Sequence, residues 1–105
     1  MIKSKQILGP VVIGASPQTA TVPAGEVWTI TQFMAHNTSA SGATITGTVN
    51  SVQVFEALTI PASGEQPTIV YGMLGQRIAA SQVLSVAAGT QDVITIYVSG
   101  IRETV

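Results

Sequence analysis

Apolar and polar residues alternate with a period of two in short segments of this chain, and each segment is bounded by Gly, Pro, Asn or Ser. That is the grammar of half-buried strands joined by turns. The longest such run is Glu26 to His36. Taken as an unbroken strand, it points Trp28, Ile30, Gln32, Met34 and His36 to one side and Val27, Thr29, Thr31, Phe33 and Ala35 to the other. Large apolar groups on both sides predict a central strand of a sandwich or an oligomer rather than one with a wet face. Ahead of it, Pro23 fixes its own φ and Gly25 admits φ > 0, so Val22-Pro23-Ala24-Gly25 should reverse the chain. Asn37-Thr38-Ser39-Ala40-Ser41-Gly42 ends the run.

The remaining elements follow by the same rules. Met1 to Lys5 reads as a short polar arm, and Ile7 to Ile13 as a strand that Pro10 confines to a sheet edge. Residues 1–18 then form an arm and edge strand, and 19–105 a β-sandwich, within a single domain. Thr19 to Val22 is a short strand. Ala43 to Val49 sets Thr44, Thr46 and Thr48 against Ile45, Gly47 and Val49. Asn50-Ser51 either turns the chain into Val52 to Leu58 or lies within one continuous pairing. In that segment Val52, Val54 and Leu58 share a face with Glu56. Thr59-Ile60-Pro61-Ala62-Ser63-Gly64 and Ser85-Val86-Ala87-Ala88-Gly89 echo the first reversal at unequal intervals, which is recurrent turn chemistry rather than a solenoid repeat. Thr68 to Tyr71 and Arg77 to Ala79 are short strands, and Val83 to Ala87 with Val93 to Val98 reads as a hairpin around Gly89 to Asp92. Gly100 admits a bulge before Ile101, and Arg102 to Val105 forms a polar exit. The expectation is an all-β, jelly-roll-like antiparallel two-sheet sandwich of eight or nine short strands. Trp28, Ile30, Phe33, Ile94, Ile96 and Val98 are the expected core.

Composition sharpens this in two ways. The 37 Thr, Val and Ile residues against 4 Leu favour pleated sheet, because β-branched side chains lose χ1 freedom in helices. Charged residues make up only 9%, against about 25% in an ordinary soluble domain. With a mean hydropathy of +0.46, part of the apolar excess is expected in contacts with other chains. A net charge of −1 gives no reason to expect nucleic acid or an anionic membrane. No apolar run approaches the ~20 residues of a membrane-spanning helix. Lys3 and Lys5 ahead of Ile7 to Ile13 sketch a signal-peptide outline that Pro10 interrupts, so an edge strand or docking arm fits better.

Candidate chemistry is sparse. The absence of Cys excludes disulfides, thiolate metal sites and Cys nucleophiles. His36, the single histidine, has no second His or carboxylate cluster near it in sequence and reads as a polar strand cap rather than a base or ligand. A triad of a Ser, His36 and Asp92 lacks the G-x-S-x-G elbow. Glu26, Glu56, Glu65, Asp92 and Glu103 are scattered as turn charges would be, and no phosphate-binding glycine loop is present. Trp28, Tyr71 and Tyr97 are the rings available to stack on a sugar, with Trp28 better suited to the core. Glu56, set among Val54, Phe55, Ala57 and Leu58, needs Arg77 or Arg102 as partner if buried, and otherwise faces solvent or a subunit boundary. No catalytic residue, metal or cofactor is expected.

The turn Val22-Pro23-Ala24-Gly25 with Trp28-Thr29-Ile30 behind it, the loop Asn37-Thr38-Ser39 and the closing Val98-Ser99-Gly100-Ile101 resemble small β-sandwich virion proteins of tailed bacteriophages over residues 19–103. The resemblance implies a non-enzymatic virion component made in the bacterial cytoplasm. A capsid decoration or cement subunit comes first, and a neck, tail or fibre component second. It implies a homo-oligomer, a trimer first, docked on proteins such as the major capsid protein; no functional residue carries over from it, and the arm Met1, Ile2, Lys3, Ser4 and Lys5, too short to fold alone, is read from its own length and charge as a contact with a partner subunit or capsid. A carbohydrate-binding module is the reading from another class, and a small hydrolase the most distant one.

Overall fold

The computed structural model describes residues 2–62 and 68–104. Met1, Glu65 and the end of the 59–64 turn lie outside them. Among the described residues nine strands run in order: β1 (Ile2–Val12), β2 (Gln18–Thr21), β3 (Glu26–Asn37), β4 (Ala43–Val49), β5 (Val52–Ile60), β6 (Thr68–Ile69), β7 (Arg77–Ile78), β8 (Val83–Ala88) and β9 (Ile94–Thr104). They form two antiparallel sheets. The first has the order β1-β9-β3-β6, with β7 also on β3, and the second β2-β8-β4-β5. Counting β6 and β7 as one interrupted strand beside β3, this is jelly-roll order: the chain changes sheet at every connection except β4–β5 and the step within the broken strand.

The inner faces supply the core. Ile30, Phe33, Ile94, Ile96 and Val98 from the first sheet are fully buried, as are Ile45, Leu84 and Val86 from the second, and Trp28 is 3% exposed. Phe33 and Phe55 meet edge to face across the sheets with centroids 5.9 Å apart. Met73, on a 3-10 turn spanning Tyr71–Met73, is buried against them. Asn37 is the one buried polar residue among those described. Its amide donates to the carbonyls of Ser41 (2.7 Å) and Ile60 (3.3 Å), and its Oδ1 accepts from the Ser39 backbone (2.9 Å) and hydroxyl (2.8 Å).

Several local expectations are corrected. β3 is not one unbroken face pattern. A bulge lies between Ile30 and Gln32, so the buried set runs Trp28, Ile30, then Phe33, Ala35, Asn37, leaving Gln32, Met34 and His36 outward. The extra residue, Thr31, shifts the parity by one, and the outer side of the strand is the wetter one. The bulge is therefore in β3 and not in β9, which runs on through Gly100 to Thr104. Val83 to Ala87 and Val93 to Val98 are not a hairpin: β8 pairs with β2 and β4, β9 with β1 and β3. Each carries a fully buried row (Leu84 and Val86; Ile94, Ile96 and Val98), which facing sheets bury more completely than a two-stranded ribbon does. In β5, register shifts around Val54 and Ala57, the latter at φ 50°, remove Glu56 from the face it was expected to share. Asn50 and Ser51 do turn the chain, both with positive φ (52° and 68°), as a tight two-residue hairpin requires. Thr68 to Tyr71 is only half strand, since Tyr71 begins the 3-10 turn. Residues 2–5 are not a free arm; they pair with residues 100–103 as the first half of β1.

Candidate functional site

The outer face of the first sheet is built by register. Ile69, Met34 and Tyr97 align across β6, β3 and β9 as one row. His36, Thr95 and Val12 form the next row toward one end, and Gln32, Ser99 and Gln6 the next toward the other. Ile69 is 44% exposed and Val12 46%, while Met34 and Tyr97 are half-buried. These three rows carry no Lys, Arg, Asp or Glu; on the same side of the sheet, charge returns only toward its other end, at Arg77 level with Thr29 and at Glu103 level with Val27.

Two depressions flank Tyr97. The smaller, about 180 Å³, is lined by Met34, His36, Thr95, Tyr97 and the backbone at Ala35 and Ile96, and its walls are almost wholly apolar. The larger, about 400 Å³, is lined by Ser4, Lys5, Gln6, Thr31, Tyr97, Ser99, Gly100 and Ile101. The β3 bulge brings Thr31 out to the edge of this concavity. The Ser99 hydroxyl donates to Gln32 Oε1 at 3.2 Å.

Charge collects on the opposite side of the same sheet, at one end. Lys3, Arg102 and Trp28 are cross-strand neighbours, and Lys5 reaches over the Trp28 ring with Nζ 4.9 Å from its centroid. Glu26 joins the group: Trp28 Nε1 donates to its Oε1 at 3.0 Å and Arg102 approaches its Oε2 at 3.5 Å. Arg102 thus pairs with Glu26, and Glu56 stands exposed on β5.

The other sequence candidates are dispersed. His36 lies on the outer face, and no group of three or more His, Cys, Asp or Glu suited to a metal occurs among the described residues. Asp92 sits in the β8–β9 connection at φ 66°, its backbone N–H donating to the Ile13 carbonyl. Trp28 is closed off from solvent, Tyr71 is 73% exposed on its turn, and Tyr97 borders both depressions. Ser4, Gln6, Thr31 and Ser99 had no distinguishing sequence signal; only strand register assembles them. Among the described residues no helix is long and apolar enough to cross a membrane. Compared with protein-family models, curated proteins and solved structures, the chain matches none.

Proposed function

We propose that this chain is a non-enzymatic structural protein of a tailed-bacteriophage virion, a capsid decoration or cement subunit that acts as a closed homo-oligomer. The observation that carries the reading is a charge-free stretch of three rows on the outer face of the first sheet, centred on the contiguous row Ile69–Met34–Tyr97 across three strands. An interface core is depleted of charge and rich in aromatic residues and Met, and this row has that make-up. The sequence likeness to small virion sandwiches and the jelly-roll order support the same reading. A trimer docked on the major capsid protein is the form the likeness favours.

Light scattering on the purified protein tests assembly, with a closed oligomer expected and a monomer at micromolar concentration counting against it. Occupancy on virions tests the location. Met34→Glu, which places a charge in the middle of the row, should lower occupancy at least tenfold while the sandwich stays folded. Unchanged occupancy would move the docking surface elsewhere.

A further inference from the structure

The larger depression differs from the apolar row beside it. Its walls mix the polar side chains of Ser4, Gln6, Thr31 and Ser99 with the Tyr97 ring and Ile101, polar and apolar surface in near-equal shares. Lys5 is the one charged residue at its border, and its ammonium is drawn away to the Trp28 ring, 4.9 Å from the centroid. We propose that this depression is a binding site for a neutral saccharide, with Tyr97 as the stacking surface and the four polar side chains as hydrogen-bonding groups.

Four observations lead there. A hydroxyl both donates and accepts, so a wall of hydroxyls and one carboxamide matches a polyhydroxy ligand and offers nothing specific to phosphate or carboxylate, which call for cations. Much of that capacity is unspent: among the described residues the side chains of Ser4, Gln6, Thr31 and Tyr97 make no hydrogen bond to protein, and Ser99 makes one. A sugar ring presents an apolar C–H face to an aromatic side chain and hydroxyls at its rim, and one half-buried ring edged by polar groups has that division. Finally, the site is preformed. Three hydrogen-bonded strands, β1, β9 and β3, hold it, and its volume of about 400 Å³ falls within the range of small-molecule clefts. The smaller depression, with almost no polar wall, lacks these features. The inference is independent of assembly, since one chain supplies every group.

The test is an NMR titration of the isolated, isotope-labelled protein with glucose, galactose, N-acetylglucosamine and their trisaccharides, with glycerol as control. At least one saccharide should give saturable shifts confined to the amides of residues 4–6, 31–32 and 97–101. Tyr97→Ala should weaken that binding about tenfold or more, while Tyr97→Phe should retain it within about threefold. If Tyr97→Ala does not fold, Gln6→Ala and Ser99→Ala serve in its place, each expected to weaken binding about threefold. The proposal is overturned by the absence of saturable shifts with every saccharide, by shifts centred elsewhere, or by variants that bind as the parent does. Equal shifts with glycerol mean an adventitious additive only and overturn it too.

Discussion

At Gly100 and Gly47 the same missing methyl has different consequences. A Cβ on Gly100 would run into the carbonyl oxygen of Thr29, in the backbone of the neighbouring strand. A Cβ on Gly47 would meet the Phe55 ring at 2.5 Å and Met73 Cε at 2.8 Å, both at the ends of side chains. Backbone in a ladder cannot withdraw without breaking hydrogen bonds, whereas side-chain ends can change rotamer. Gly100→Ala is therefore expected to cost about 3–5 kcal/mol, among the severe class, and Gly47→Ala about 1–3 kcal/mol as overpacking. Chemical denaturation of the pair checks the order; a Gly100 variant as stable as the Gly47 variant would show that β3 and β9 can part locally. Asn37 carries a different burden. It ties the β3–β4 loop to the Ile60 carbonyl from a position 1% exposed. Asn37→Ala removes the buried bond to the Ile60 carbonyl and takes the acceptor from the Ser39 backbone N–H, and should cost about 1–3 kcal/mol, read from the same denaturation midpoint.

At the scale of elements, every edge of both sheets is blunted. β1 carries Pro10 and two register shifts, β6 and β7 are fragments, β2 has 4 residues, and β5 has two register shifts. Such edges resist strand addition, so association is left to the faces. The β4–β5 hairpin offers a test of how well its turn is built. Ser51 occupies the left-handed region at φ 68°, where an L-residue is strained and glycine is not. Ser51→Gly should raise stability by about 0.5–1 kcal/mol, and a lower thermal midpoint would mean that the Ser51 side chain makes contributions of its own. The first strand of that hairpin, β4, was the most legible in the sequence. The alternation through Ala43 to Val49 appears as a buried row at every second residue, because a strand with one polar face advertises its parity. The β3 parity was illegible for a physical reason. Nothing in Thr29 to Phe33 marks a bulge, and the residue that accompanies it, Gly100, lies on the partner strand far along the chain. Likewise Gly89 to Asp92 has hairpin chemistry, yet the loop joins strands of different sheets, a choice set by the buried rows each strand must cover. The saccharide candidate inherits that limit: Tyr97 was nameable from sequence, whereas its four polar companions meet only once β1, β9 and β3 are in register.

At the scale of the whole molecule, the first strand closes the sheet on the last. β9, an 11-residue strand, is interior because residues 2–6 pair with residues 99–103 along its C-terminal half. This revises what removing the N-terminus should do. Residues 2–5 are integral to the sheet, so deleting residues 1–6 strips part of a ladder, takes Lys5 off the Trp28 ring and leaves the C-terminal half of β9 as an open edge, while Leu8 to Val12 still cover its first half. The sandwich core, from Ile30 to the opposing sheet, is untouched. The deletion is therefore expected to leave a folded protein that is less stable by about 2 kcal/mol, the net loss of several exposed ladder bonds offset by the chain entropy recovered. Because Trp28 is the single tryptophan, its emission should move to the red as its cover is removed. The new edge should also self-associate, by edge pairing that the intact chain's Pro10 and bulges prevent. Fluorescence, a denaturation curve and light scattering on the truncated protein separate these effects. Unaltered emission with an unaltered midpoint would return residues 1–6 to the status of a peripheral arm. A red shift without self-association would show that the tilt and twist of β9 already protect its edge.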